Sequence, residues 1–328
     1  MKQIFVLGSN SPAAANFCKF MCVNGYRVHA FSRSEEKHQV FLPYTQLKDA
    51  SVTFRKLDLN HDIDILTTLL EKHRPEFVVN FASQAMVAES WEHPIDWMQT
   101  NVVGVTGLLE TLRKVDNLER YIHFSTPEVY GSTSNWVVES TNYQPSSPYA
   151  LSRAAGDMLV DLWAKTYGLP AVITRAANFY GAGQQLFRII PRTFLCCLTN
   201  QKLFLQGGGF SERAFIHFDD VSRGVSSICE DSKMGEHYHL SPADAIRIRD
   251  LVQLICNISG KDFNEIVVED EPRLGHDQSY LLDSKKIEEE LGWRPQVSLE
   301  NGLLEVHRWC SDNLQILMKQ PQAYMHKV

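Results

Sequence analysis

QIFVLGSNSPAAANFCKFMCVNGYRVHAF (residues 3–31) decides the fold. Four of its first five residues are apolar and predict a buried strand. The turn Gly8-Ser9-Asn10-Ser11-Pro12 then opens a helix that ends near Asn24-Gly25. Ser11 suits the cap of that helix, Pro12 its first turn and Gly25 its C-terminal end. Residues 27–31 (RVHAF) predict a second strand. Strand, glycine turn, helix and strand make a βαβ unit, in which the helix N-terminus faces a pyrophosphate. The usual fingerprint sets glycines at positions that here hold Gly8, Ser11 and Ala14. Alanine serves in the third place, whereas Ser11 carries a side chain where phosphate should come close. Gly8, Asn10 and Ser11 are the candidate phosphate contacts.

Outward from this unit the pattern repeats. VTFRKLDLN (52–60) reads as a strand that brings Asp58 and Leu59 toward an adenine ring. FVVNFASQ (77–84) reads as a continuous apolar strand carrying Phe81, Ala82, Ser83 and Gln84 at its carboxyl end. A helix is predicted over about 95–114, a strand over 121–126, a helix from Pro148 and a strand over PAVITRAANFYG (170–181). Continuous apolar strands alternating with helices predict an α/β fold, a doubly wound parallel sheet of the Rossmann type. The end of the second strand would carry an acidic residue to hold the ribose hydroxyls of NAD. Ser32, Arg33 and Ser34 stand there instead, a small hydroxyl and a cation that suit the 2′-phosphate of NADP; Arg33 serves equally well to cap a solvent loop.

The chemistry concentrates in IHFSTPEVYGSTSNWVVESTNYQPSSPYALSR (122–153). Tyr149 and Arg153 lie four apart on one helical face, so that a phenol sits beside a fixed cation. Such a cation favours the phenolate and makes the tyrosine a candidate acid/base. The same spacing also serves an ordinary helix-face contact. Thr126 and Glu128, at the carboxyl end of the preceding strand, add a hydroxyl and a carboxylate where open α/β sheets bind their ligands.

After residue 181 the alternation breaks down into a glycine cluster, Arg188, Arg192, Arg213 and the carboxylates Asp219 and Asp220. Helices near 248–259 and 284–291 bracket VEDEPRLGHDQSYLLD (268–283). We expect a dinucleotide-binding domain over 1–181 with about 216–240, a smaller α/β substrate-binding lobe over 182–215 and 241–315, and a poorly ordered tail over 316–328. The formal net charge of −7 argues against nucleic acid or an anionic membrane as partner. No apolar stretch is long enough to span a bilayer, and MKQIFVLG reads as a first strand rather than a signal peptide. Seven cysteines without framework spacing suit reduced thiols in a cytoplasm. The twelve histidines form no zinc pattern, so no metal is expected.

STPEVYG (125–131), PYALSR (148–153), TRAANFYGAGQ (174–184), RAFIHFDDV (213–221), RLGHD (273–277) and LGWRP (291–295) together resemble the extended short-chain dehydrogenase/reductases, in their nucleotide-sugar 4,6-dehydratase and epimerase branch. The resemblance runs from Lys2 to about Trp309, and RLGHD followed by Tyr280 and Asp283 is most like the dTDP-glucose 4,6-dehydratases. It implies a tightly bound nicotinamide dinucleotide, a nucleotide-diphosphate sugar as substrate and a homodimer. The helices near 102–114 and 150–166 would form that dimer; their apolar residues Val102, Val105, Leu108, Leu109, Leu159, Leu162 and Trp163 suit an interface and packing against the sheet equally well. It further implies that Tyr149 takes the C4 hydroxyl proton, Thr126 hydrogen-bonds the C4 oxygen and Glu128 removes the C5 proton. Asn178, Arg213 and Arg273 would hold the diphosphate, and His276 would sit near the nucleotide; Gln84 and Arg188 join them as substrate contacts. Two departures touch the chemistry: the family's aspartate acid is Pro127 here, and its lysine is Arg153. The implied activity is a 4,6-dehydratase, with an epimerase, a decarboxylase or a lapsed nucleotide-sugar or NADP binder as the alternatives.

Overall fold

The structure is a computed structural model that describes residues 1–47, 52–133, 135–271 and 279–327. Strand β1 (Gln3–Leu7) leads through the glycine turn into helix α1 (Pro12–Val23) and strand β2 (Arg27–Ser32). Strand β3 (Val52–Lys56), helix α2 (Ile63–His73) and strand β4 (Phe77–Asn80) follow. Helix α3 (Val105–Leu112), strand β5 (Arg120–Ser125), helix α4 (Pro148–Tyr167) and strand β6 (Ala171–Ala176) continue the alternation. Strand β7 (His237–Leu240) completes a seven-stranded parallel sheet in the order β7-β6-β5-β4-β1-β2-β3. This is the doubly wound arrangement expected from the sequence. The order reverses between β1 and β4, and ligands of such sheets bind at the carboxyl ends beside that reversal.

Side chains of β1 alternate between two cores, as the two-residue period of a strand requires. Ile4 and Val6 pack under α1 and helix α6 (Phe218–Asp231), with Phe17, Val28, Ile122 and Val225. Phe5 and Leu7 pack on the other face with Leu66, Val105, Leu108 and Val160 of α2, α3 and α4. Burial on both faces explains why these strands read as unbroken apolar runs. Helices α5 (Ile189–Thr199), α7 (Ile248–Ile258) and α8 (Leu299–Asp312) build a separate core around Phe194, Leu251, Ile255, Leu303 and Val306. Among the described residues no helix is long and apolar enough to cross a membrane.

Four local expectations change. The 77–84 strand stops at Asn80, because the Asn80 side chain takes the Ala82 N–H (3.0 Å) and ends the ladder. The 170–181 strand is two. Asn178–Tyr180 leaves the main sheet to pair with Phe215–His217, which carries the chain between the two cores. The helix expected over 95–114 is Pro94–Met98, a π-helical turn Gln99–Gly104 and α3. The tail is packed rather than loose. Leu314–Leu317 is helical, and beyond it Tyr324 meets Phe187 edge-on (5.8 Å). The His326 imidazole lies flat against buried Trp97 (5.3 Å) and bonds Asp96 (2.7 Å). Aromatic contacts of this kind anchor the segment.

Candidate active site

Gly8 sets the floor of the dinucleotide cleft. Its φ is +83°, and a Cβ there would stand 2.6 Å from the Ala82 backbone nitrogen, so only glycine lets β1 turn this close to the end of β4. Ser11 occupies the cap position of α1 but makes no capping bond; its hydroxyl is buried without a partner among the described residues. The capping role expected for it is therefore corrected. Ser11 has the extended backbone usual at a cap (ψ 146°), yet its hydroxyl accepts no first-turn N–H, and those groups stay open. Open N–H groups, the positive end of the helix and an unpaired hydroxyl fit a diphosphate. The Asn10 amide instead braces the next loop, donating to the carbonyls of Ser34 (3.1 Å) and Glu35 (2.9 Å) and to the Ser34 hydroxyl (3.3 Å).

At the ribose end Ser32 is buried, and Arg33 donates to Gln84 Oε1 (3.4 Å) while its Nη1 is buried without a partner among the described residues. Asp58 turns its carboxylate onto the Asn60 N–H (2.9 Å), and Leu59 is buried beside it. Phe81 stacks between Phe17 (5.6 Å) and Phe124 (4.6 Å), with Ala82 and Ser83 partly buried beyond it. These residues, with the Gly8 floor, fit a nicotinamide dinucleotide.

Gln84 is held on every side. Its N–H donates to Asn101 Oδ1 (2.9 Å), its carbonyl accepts from Asn101 Nδ2 (3.0 Å), and its own amide donates to the Lys327 carbonyl of the tail (2.7 Å). Asn101 also reaches Ser152 of α4 (2.9 Å), tying the π-helical turn to the helix that carries Tyr149. Two residues beyond Gln84, Met86 adopts φ +121°, a strained conformation for a side-chain-bearing residue of the kind that gathers at functional sites.

Tyr149 stands in the first turn of α4, where Ser147 caps the helix by accepting from Ala150 N–H (3.1 Å). Its own N–H donates to Ser90 Oγ (3.1 Å). Burial, then the nearby Glu128 carboxylate, push its phenol up to about 12; Arg153, a hydrogen bond from Thr126 and Arg188 pull the other way. Thr126 caps the short turn Pro127–Tyr130 by accepting from Glu128 N–H (3.4 Å), which places the carboxylate beside the phenol. Arg153 is 2% exposed, and its guanidinium donates to the Phe124 carbonyl at the end of β5. One turn further along α4, buried Asp157 meets Arg175 (2.7 Å), which also donates to Tyr130 (2.8 Å) and Tyr143 (2.9 Å). Burial alone would raise the Asp157 carboxyl, but Arg175, His123 and Arg153 outweigh it and hold the group below its usual range.

Asn178 accepts from the Tyr280 hydroxyl (3.3 Å), and the buried Arg213 lies over the Tyr280 ring (4.2 Å). Arg188 caps the start of α5 with its backbone, and its charge reaches Tyr149. Arg273 and His276 lie outside the described residues. The sequence reading passed over three contributors: Asn101, Tyr280 and the tail residues 324–327. Tyr280 follows the RLGHD stretch directly, which was its only signal; Asn101 and the tail gave none. His93, Asp96 and His326 bring ligand atoms within 4.8 Å of one another, but the two imidazoles lie parallel, so their in-plane lone pairs do not converge on one ion. A 610 Å³ cavity bounded by Asp161, Lys165, His237 and Lys286 opens at the amino-terminal ends of the strands, away from this chemistry.

A family model described as GDP-mannose 4,6 dehydratase matches residues 12–306. The chain belongs to that family. It is 32% identical to the dTDP-glucose 4,6-dehydratase of Salmonella typhimurium over 275 residues, 76% of each protein. It is also 32% identical to that of Haemophilus influenzae, over 78% of this chain and 82% of the relative. Among solved structures of the family's fold, the dTDP-glucose 4,6-dehydratase of Streptomyces venezuelae with NAD bound superposes with a TM-score of 0.89 at 30% identity, covering 96% and 98% of the two chains. The UDP-glucose 4-epimerase of Thermotoga maritima, with UDP-glucose, gives 0.87 at 27%, covering 95% and 99%. The family places this chain in the nucleotide-sugar dehydratase and epimerase branch of the extended short-chain dehydrogenase/reductases, as an enzyme that uses a nicotinamide dinucleotide.

Proposed function

We propose that the protein is a nucleotide-hexose 4,6-dehydratase. The observation that carries this reading is the Glu128 carboxylate fixed beside Tyr149 and Thr126, where an epimerase acting at C4 alone needs no second base. Tyr149 takes the proton of the C4 hydroxyl, and Thr126 steadies the oxygen as it becomes a carbonyl. That carbonyl acidifies the C5 proton, which Glu128 removes so that the C6 hydroxyl can leave as water. A bound dinucleotide would supply the hydride exchange, taken at C4 and returned at C6. Arg213 and Asn178 would hold the diphosphate, for which a planar guanidinium is suited.

Gly8, Ser11, Ser32, Arg33 and Ser34 would hold the dinucleotide. The absence of a carboxylate at the end of β2 and the unpartnered Arg33 Nη1 favour NADP; relatives solved with NAD make NAD the other choice. We place the enzyme in the cytoplasm, since all seven thiols are free, and as a homodimer. A second reading, epimerisation at C4, is favoured by Pro127, which leaves no carboxylic acid beside Glu128.

Proton NMR of the protein with dTDP-, UDP-, GDP- and CDP-hexoses in D2O tests the choice. A 4-keto-6-deoxy product with deuterium at C5 is the expected result. An inverted C4 centre with the C6 hydroxyl retained would replace this reading with the epimerase.

A further inference from the structure

Loss of the C6 hydroxyl requires a proton on the departing oxygen. In the dehydratase reading Glu128 is occupied with the C5 proton, and Pro127 beside it has none to give. We propose that Tyr280 is the general acid of this step; the inference rests on the dehydratase reading.

Tyr280 is clamped at the mouth of the site from two directions. The Thr133 N–H, just past the turn that carries Glu128, donates to the Ser279 carbonyl (2.8 Å), and the Leu281 N–H donates to Thr133 Oγ1 (3.3 Å). On the other side Ser279 bridges to Glu212, next to Arg213. The phenol is thereby fixed between the Glu128 turn and Arg213, close enough to feel the charges of both Glu128 and Tyr149. Its hydroxyl donates to Asn178 Oδ1 (3.3 Å), an acceptor that orients the proton without removing it. Burial first, and then Glu128, raise the phenol well above its ordinary value, so it is protonated at neutral pH. Arg213, over the ring at 4.2 Å and hydrogen-bonded to the phenol, stabilises the phenolate left after the proton departs.

The step balances. The C5–H bond breaks and its proton goes to the Glu128 carboxylate, while its electron pair is held by the C4 carbonyl as an enolate. The enolate then returns the pair to form the C5–C6 double bond as the C6–O bond breaks, and the oxygen leaves as water with the Tyr280 proton. When hydride is added back at C6, Glu128 returns a proton to C5. The proton that Tyr149 took from the C4 hydroxyl offsets the one Tyr280 gave, so exchange between the two neighbouring phenols restores both.

The test is Tyr280→Phe in the full chain, given the nucleotide-hexose that wild type accepts, in D2O. Loss of the C6 hydroxyl should slow by about 10²–10⁴-fold, the range for removal of a general acid. C5 exchange should continue, so that the starting sugar is recovered with deuterium at C5. The 6-deoxy-6-fluoro analogue, whose fluoride leaves without a proton, should be eliminated at close to the wild-type rate, which shows that the variant is folded and binds. Elimination of water within twofold of wild type would overturn the proposal and assign the proton to Glu128. Loss of exchange and of fluoride elimination together would also overturn it, making Tyr280 a binding residue. If wild type itself eliminates water from none of these sugars, the dehydratase reading falls and this proposal with it.

Discussion

Tyr149 carries the tension of the site. Its phenol must lose a proton to act as a base, yet burial and Glu128 hold it near 12, against which Arg153, Thr126 and Arg188 work. The fraction of phenolate, and with it the rate of C4 deprotonation by the free enzyme, should rise roughly tenfold per pH unit across the neutral and mildly alkaline range. Glu128→Gln removes a negative neighbour that raises the phenol, so the same limb should move to lower pH. Arg153→Met removes a cation that lowers it, so the limb should move to higher pH. Single-turnover C4 oxidation measured against pH checks both signs; a limb that Glu128→Gln leaves in place would show that the carboxylate does not couple to the phenol. Thr126, Glu128 and Tyr149 were legible because one stretch of about thirty residues holds a strand end, a turn and a helix start. The role of Arg153 was legible only in part. The spacing put its cation on the face of Tyr149, but its contact with the Phe124 carbonyl depends on how α4 leans on β5, which no local pattern records. Tyr280 could not be found this way, since it enters from about 130 residues beyond Tyr149 and is brought to the Glu128 turn by the Thr133 and Glu212 contacts.

Elements were most legible where their termini carry their own chemistry. β1, α1 and β2 were read nearly residue for residue, because a glycine at φ +83°, a proline in the first helical turn and a glycine at φ +85° after the last one leave few alternatives. The meaning of Ser11 was not legible. As a residue type it is a helix cap, yet here its hydroxyl makes no cap and lies buried beside the open first turn. In that position it can donate to a phosphate oxygen, so the departure from the glycine fingerprint gains a hydrogen bond where it loses room. Ser11→Ala should weaken dinucleotide binding by roughly tenfold, the effect of one hydrogen bond to a charged group, at about 1.5 kcal/mol. Isothermal titration with NAD and NADP measures it, and unchanged affinity for both would mean that the hydroxyl does not reach the phosphate. The split of 170–181 and the π-helical turn escaped the sequence for a shared reason. Both are imposed by partners distant in the chain, Phe215–His217 in one case and Gln84 in the other, while the local pattern remains that of an ordinary strand or helix.

At the scale of the whole molecule, the apolar helix faces separate into two sets that the sequence could not tell apart. Val105, Leu108 and Leu109, which suit an interface or the sheet alike, are fully buried against the sheet. On the same helical pair another set points outward: Val103, Leu151, Met158 and Leu162 are each half or more exposed. Along α4 the positions Leu151, Ala155, Met158 and Leu162 follow the spacing of four, three and four that makes a coiled-coil seam. A stripe of this kind is uncommon on a monomer, and a second copy with the same stripe is a self-complementary partner. Burying a Met or Leu side chain that is now exposed gains about 1.5–3 kcal/mol, and a twofold interface counts each one twice. Wild type should therefore run as a dimer at micromolar concentration in size-exclusion chromatography with light scattering. The Met158→Arg, Leu162→Arg double variant should run as a folded monomer, because it sets four guanidinium groups on a seam with no acceptor for them. Its dinucleotide affinity should be kept, since neither residue touches the cleft, and this separates loss of assembly from loss of fold. A wild-type monomer, or a double variant that still dimerises, would move the interface off this seam.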